Sequence, residues 1–206
     1  MRYYGLHLPG SFMTESSASP STLSSSSRPN WIKLALMGVV ALILLLVAIG
    51  YLLPNRYEIS RSISINAERS TIHPYVDDLN KWPEWEPWTR ADPSIKTTVG
   101  NPSSGVGANQ SWTGESSHGS LKFSYSAQET GVVYDMTFDD QWKSVGAITY
   151  KPTGGKTEVT WTIKGDYGMN IVGRYIGLMM DSMVGPMFED GLGRLRSVVE
   201  SNTSAT

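Results

Sequence analysis

The chain has 206 residues, 17 basic against 19 acidic side chains and no cysteine, so disulfide scaffolds and cysteine-based metal sites are excluded. Four of the basic residues and one of the acidic precede Tyr57, which leaves a balance of −5 beyond it. That balance, with basic groups scattered along the chain, disfavours nucleic acid, anionic headgroups and other polyanions as partners.

Residues 1–30 centre on SSASPSTLSSSS. They are rich in serine and too poor in large apolar groups to offset chain entropy, so a disordered tail is expected. Met1 and Met13 are both open as the true start. Residues 34–53, LALMGVVALILLLVAIGYLL, carry no charge. At about 1.5 Å per residue such a run crosses the ~30 Å hydrocarbon core, and 31–54 reads as a transmembrane helix. A cleaved signal peptide is the alternative, but its apolar core is usually only about 7–15 residues. Trp31 and Lys33 at one end, and Tyr51 and Arg56 at the other, suit the headgroup layers. Arg28 and Lys33 before the span nearly balance Arg56 and Arg61 after it. The expected topology, tail in the cytoplasm and domain outside, therefore rests on the habit of short-tailed signal anchors. Gly38 and Gly50 are too far apart for a GxxxG packing motif.

From 55 to 201 the composition is that of one globular domain, followed by a flexible 202–206. Strands are predicted at Tyr57 to Asn66, Ala108 to Glu115, Leu121 to Ala127, Val132 to Phe138, Trp142 to Lys151 and Lys156 to Lys164, giving a sheet of six or seven. Alternation is clearest in the last, where Val159, Trp161 and Ile163 share one face. Leu121, Phe123, Tyr125 and Ala127 alternate in the same way, as do Val132, Tyr134, Met136 and Phe138. A brief helix capped by Ser70 or Thr71 carries Ile72, Tyr75, Val76 and Leu79, with Pro74 tolerable only in its first turn. A long amphipathic helix runs from about Ile171 to Ser201, and Gly185-Pro186 is expected to bend or interrupt it.

RSISINA (61–67), DLNKWPEWEPW (78–88), GVGA (105–108) and GRYIGLMMDSMVGPMFEDGLGRL (173–195) resemble the START-like or SRPBCC superfamily, in its polyketide cyclase/dehydrase branch. The resemblance covers nearly all of the soluble domain; Pro74 departs from it. It implies an α+β helix-grip (START/Bet v 1-like) fold, a curved antiparallel sheet around a long C-terminal helix with a cavity between them. It also implies a small hydrophobic molecule, such as a lipid or polyketide, as ligand. Similar anchored bacterial proteins carry one leading transmembrane helix, which makes the inner membrane, with the domain in the periplasm, the expected location.

Trp82, Trp85 and Trp88, spaced by three, would share one face of a helical segment and leave Glu84 and Glu86 outward. Two uses are open for them: an aromatic wall at the cavity mouth, or a plug completing the core. The same choice covers Trp112, Tyr125, Tyr134, Trp142 and Trp161 on the strands, and Met179, Met180, Met183 and Met187 on the long helix, whose flexible thioethers suit varied apolar shapes. Arg61 shares strand parity with Ile59 and Ile63 and needs a partner, either a protein carboxylate or an anionic ligand head. The glycine-rich segments 100–107 and 165–170 are candidate gates.

Catalytic signals are weak. His73 and His118 are far apart in sequence, no nucleophile elbow or dinucleotide loop is present, and the adjacent pairs Asp77-Asp78 and Asp139-Asp140 are expected to be solvated. No cofactor and no metal are expected. Three functions follow: a membrane-anchored module that binds or transfers a hydrophobic ligand; a cyclase or dehydratase in which Tyr125, Tyr134 or Arg61 moves protons; or an envelope protein that binds another protein, with the protein partner unspecified.

Overall fold

A computed structural model describes residues 30–115 and 117–203; the tail before Asn30 and the last three residues, expected to be disordered or flexible, lie outside them. Helix α1, Asn30–Leu52, contains the apolar run. It is long and apolar enough to cross a bilayer.

Seven antiparallel strands follow in the order β1-β7-β6-β5-β4-β3-β2. They are β1 (Arg56–Ile65), β2 (Lys96–Val99), β3 (Asn109–Thr113), β4 (His118–Ala127), β5 (Gly131–Phe138), β6 (Trp142–Thr153) and β7 (Lys156–Asp166). Hairpins between neighbours in sequence build most of this order, and the tight β6–β7 turn uses Gly154 and Gly155 at φ 57 and 81, backbone that glycine adopts freely. Strand β2, absent from the sequence reading, is a four-residue edge strand of KTTV with no buried residue. Nothing in its side-chain pattern separates it from a loop.

Helix α2 (Arg69–Asp77) starts after Glu68, ahead of the expected Ser70 or Thr71 cap. Glu68 accepts backbone bonds from Thr71 and Ile72. Pro74 lies beyond the first turn, in a helix of only nine residues. A 3-10 helix (Leu79–Glu84) and a short α3 (Trp88–Ala91) lead into the sheet. Helix α4 (Ile171–Thr203) is 33 residues long and passes through Pro186 without interruption. Gly185 lacks the Cβ that would clash with the proline ring in a helical backbone. Packing against the sheet holds the segment after it: Phe188, Leu192, Leu195 and Val199 are all buried. They meet inner-face residues Ile59, Ile65, Val132, Ile148, Val159 and Trp161 in one core.

Candidate functional site: the inner face of the sheet

The Trp-Pro-x-Trp-x-Pro-Trp segment forms a wedge under the sheet. In the 3-10 geometry residues three apart lie above one another, so Trp82 and Trp85 both point inward, 3% and 0% exposed. Their indole N–H groups donate to Val76 and Tyr75 carbonyls, each at 2.9 Å, and so close the end of α2. Trp161 lies flat on Phe188 of α4, with centroids 4.2 Å apart and planes at 1°, and donates from Nε1 to the Tyr134 hydroxyl at 2.9 Å. Burial pushes the Tyr134 phenol up to about 12. All five of these aromatics are core, and the polar atoms of Trp82, Trp85, Trp161 and Tyr134 have protein partners. Trp82 and Trp85 thus lie within the core beneath the sheet. Glu86, expected to face outward, is 6% exposed. Its carboxylate accepts from the backbone N–H of Trp88 and Thr89 and from the Thr89 hydroxyl, holding the start of α3.

The other candidates divide by their place on the fold. Trp88 is half-buried, edge-on to Trp161 and Phe188, and Met187 is half-buried on α4. Tyr125 is a correction: a register shift between Phe123 and Tyr125 reverses the strand's parity. The tyrosine is 45% exposed in consequence, with its hydroxyl on Thr130. Met179 and Met183 also face outward, 60% and 59% exposed, because that part of α4 turns a different face to β1. Trp112 and Trp142 remain half-buried. Trp112 sits edge-on to Phe138 at 5.0 Å and Trp142 edge-on to Tyr167 at 5.8 Å, with Tyr57 5.0 Å from Tyr167.

These last residues belong to one end of the inner face. The register runs from Tyr57 opposite Gly165 through Ser144 to Met136 and Leu121, with Trp142, Phe138, Gly119 and Trp112 in the next row. Trp112, Met136, Phe138 and Trp142 are all half-buried, whereas inner-face residues toward the other end are sealed by the second half of α4. At the β1 edge of this row a groove of about 240 Å³ opens between β1 and the first half of α4, lined by Pro54, Tyr57, Ile59, Gly177, Leu178 and Met180, with Arg56, Glu58, Arg174 and Asp181; Tyr57 and Tyr167 stand between it and Trp142. Met136, Phe138, Tyr57 and Tyr167 were not singled out as site residues from sequence. The alternation that places Tyr134 inward carries Met136 and Phe138 with it, so that much was available.

Arg61 clamps α4 to β1. It donates to Asp181 at 2.9 and 3.1 Å, to Glu189 at 2.7 Å and to the Ser60 carbonyl. The two carboxylates raise the guanidinium above its ordinary range. Gly185 makes room for it, since a Cβ there would come within 2.1 Å of Arg61 Nη2. Of its two possible partners, Arg61 takes protein carboxylates.

A polar cluster lies where α2 meets β4 and β6. Asp77, expected to be solvated, is only 19% exposed at its side chain. It accepts from the Gly105 N–H, 3.1 Å from each oxygen, and from the Ser126 hydroxyl. His73 Nδ1 lies 3.3 Å from the Tyr150 hydroxyl and Nε2 3.5 Å from Ser126. The bulge that turns Tyr125 outward turns Ser126 inward to meet Asp77, a juxtaposition that uniform alternation hides. Burial lowers His73 and raises Tyr150 from their ordinary values. The cluster joins α2, β4, β6 and the 100–107 segment, one of the two suggested gates. That segment is further tied by Gly107 to Phe123 and Leu79 to Ser103 backbone bonds. Among the described residues no group of metal-ligating side chains converges.

The family model for polyketide cyclase / dehydrase and lipid transport proteins matches residues 56–200. No curated protein matches the chain. Among solved structures, a Thermobifida fusca protein superposes with a TM-score of 0.54 at 18% identity, covering 69% of this chain and 92% of its own. A Rhodobacter sphaeroides protein gives 0.53 at 14%, covering 70% and 93%. DynU16, from the dynemicin biosynthetic locus, gives 0.51 at 12%, covering 70% and 48%. At these identities the likeness is one of fold, the helix-grip arrangement implied by the sequence motifs. From Arg56 to Glu200 the match spans every strand and nearly all of α4, and the chain belongs to the polyketide cyclase/dehydrase and lipid transport family.

Proposed function

We propose that the protein is a membrane-anchored module that holds or passes a small hydrophobic molecule, with α1 as the anchor and the domain on the periplasmic side of a bacterial inner membrane. The ligand lies at the incompletely covered end of the inner face. The observation that carries this reading is the half-burial of Trp112, Met136, Phe138 and Trp142 at that end of the inner face, with the groove between β1 and α4 opening at its β1 edge. Large apolar side chains left partly open in a concave setting, with a few polar groups nearby, are the usual make-up of a small-molecule site. The groove, about 240 Å³, is smaller than the ~300–1,000 Å³ common for such sites. A ligand larger than the groove therefore extends from it along the inner face, past Tyr57 and Tyr167 toward Trp142.

Holding is favoured over chemistry because the titratable groups nearest the core have protein partners: Tyr134 with Trp161, and His73 with Tyr150 and Ser126. Hydrogen exchange of the full chain in detergent, with and without a medium-chain fatty acid, tests the site. The expected result is slowed exchange in β3, β5, the start of β6 and residues 171–184. Slowed exchange confined to α1, or none, would refute the assignment.

A further inference from the structure

Helix α4 carries an apolar stripe that is exposed along its length. Val172, Ile176, Met179 and Met183 recur at i, i+4, i+7 and i+11, which places them within an arc of roughly 60° at 100° per residue. All four are exposed, from 45% at Ile176 to 69% at Val172, and Met169 just before the helix is 76% exposed. The stripe is about 17 Å long at 1.5 Å per residue. The only charged residues between Ile171 and Met183, Arg174 and Asp181, are engaged elsewhere: Arg174 donates to the carbonyls of Gly168, Gly50, Tyr51 and Leu53, and Asp181 holds Arg61.

The stripe begins where the end of α1 is seated. A Cβ on Gly50 would come within 2.3 Å of Ile171 Cγ2 and 3.1 Å of the Tyr175 ring. The Tyr175 hydroxyl donates to the Leu46 carbonyl at 2.7 Å. Leu46 is six residues before the end of α1, about 9 Å along its axis. The first turns of α4 thus stand level with the last turns of the apolar helix. Where that helix leaves a bilayer, they lie at the same depth.

We infer that Val172, Ile176, Met179 and Met183 lie in the headgroup and upper acyl layer of the bilayer that holds α1, so that the domain is mounted on the membrane at two points. The inference rests on the anchor reading of α1. Contiguous exposed apolar surface marks an interaction site, and an amphipathic helix in this layer buries its apolar face by ~5–10 Å. Depth and continuity with α1 identify lipid as the occupant. No basic side chain is needed on the stripe, because the contact is apolar.

The absence of cysteine permits single-cysteine labelling of the full chain. Val172→Cys, Ile176→Cys, Met179→Cys and Met183→Cys, each carrying an environment-sensitive nitrobenzoxadiazole dye, are placed in phosphatidylcholine vesicles containing lipids with a doxyl quencher near the headgroup for the α4 positions and near the acyl-chain end for the anchor. Leu44→Cys reports on the anchor and Lys122→Cys, exposed on β4, on the solvent side. Emission is expected to fall to roughly half or below at the four α4 positions and at 44, and to be unchanged at 122. Quenching at 44 but at none of the α4 positions would overturn the inference and leave the anchor standing. No quenching at 44 would remove the anchor and the inference with it. Disulfide formation between copies of the unlabelled Met179→Cys variant under an added oxidant, with no quenching of the labelled one, would overturn it in favour of a second copy of the chain.

Discussion

Phe188→Ala probes the seal between α4 and the sheet. The ring is 1% exposed, stacks flat on Trp161 at 4.2 Å and meets Trp88 edge-on at 6.3 Å. Removing it forfeits about 1.5–3 kcal/mol of transfer free energy and about 0.5–1.5 kcal/mol for each aromatic contact. The neighbourhood has little freedom to collapse into the space. One turn on, a Cβ at Gly191 would already come within 2.8 Å of Trp161 and 3.1 Å of Pro87, and Glu189 is fixed by Arg61 at 2.7 Å. The loss is therefore expected in the upper part of the ~3–5 kcal/mol seen for buried aromatics cut to alanine. That is a large share of the ~5–15 kcal/mol that stabilises a typical domain, and it lowers the melting temperature by roughly 10–15 °C. Near-ultraviolet circular dichroism of the full chain in detergent reads the melting of the tryptophan cluster directly. Met183→Ala, on the exposed stripe, serves as the control and is expected within ~0.5 kcal/mol of the parent. A loss below ~1 kcal/mol for Phe188→Ala would refute the view that the second half of α4 closes the core.

Gly146→Ala should overpack the same interior. A Cβ there would stand 2.0 Å from Tyr134 Cζ, and that ring is buried and bonded to Trp161; a loss of ~1–3 kcal/mol is expected in urea titration, and a neutral result would show that the ring has room to shift. His73 predicts a pH dependence. Burial holds the folded imidazole below its ordinary 6.5, with Asp77 opposing in part, while the unfolded chain takes up its proton near 6.5. The unfolded state then binds more protons below that pH, so the contribution is fully present above 6.5 and is lost as pH falls through the lowered folded value. Urea midpoints measured between about pH 5 and 7.5 should fall toward acid in the parent and much less in His73→Gln; equal slopes would discard this role for His73, leaving the carboxylates as the source.

What the sequence made legible is what repeats at a fixed period. Val159, Trp161 and Ile163 face inward as their alternation indicates, and the apolar groups of α4 between Phe188 and Val199 line the core as their spacing indicates. Periodicity reports a shared face, but not what that face meets. Val172, Ile176, Met179 and Met183 keep a helical period as good as that of Phe188, Leu192, Leu195 and Val199, yet only the second set has a sheet beneath it. The parity of β4 was lost to one bulge, which sent Tyr125 out and brought Ser126 to Asp77. Glu86 reads as a surface carboxylate because its partners, the amides that start α3, exist only once the chain turns at Pro87. The tryptophans' spacing indicated a common side for Trp82 and Trp85, but their role as plug depended on which carbonyls their indoles would reach.

Native mass spectrometry of the full chain, purified from membranes and released from its micelle, with chromatography of an organic extract, tests the central claim most directly. The ligand-binding account predicts an apolar adduct at one per chain, retained in the parent and lost from Met136→Trp, which fills the open end of the inner face. A chain that emerges empty and takes up no lipid or fatty acid on titration, or an adduct that Met136→Trp retains unchanged, would contradict it.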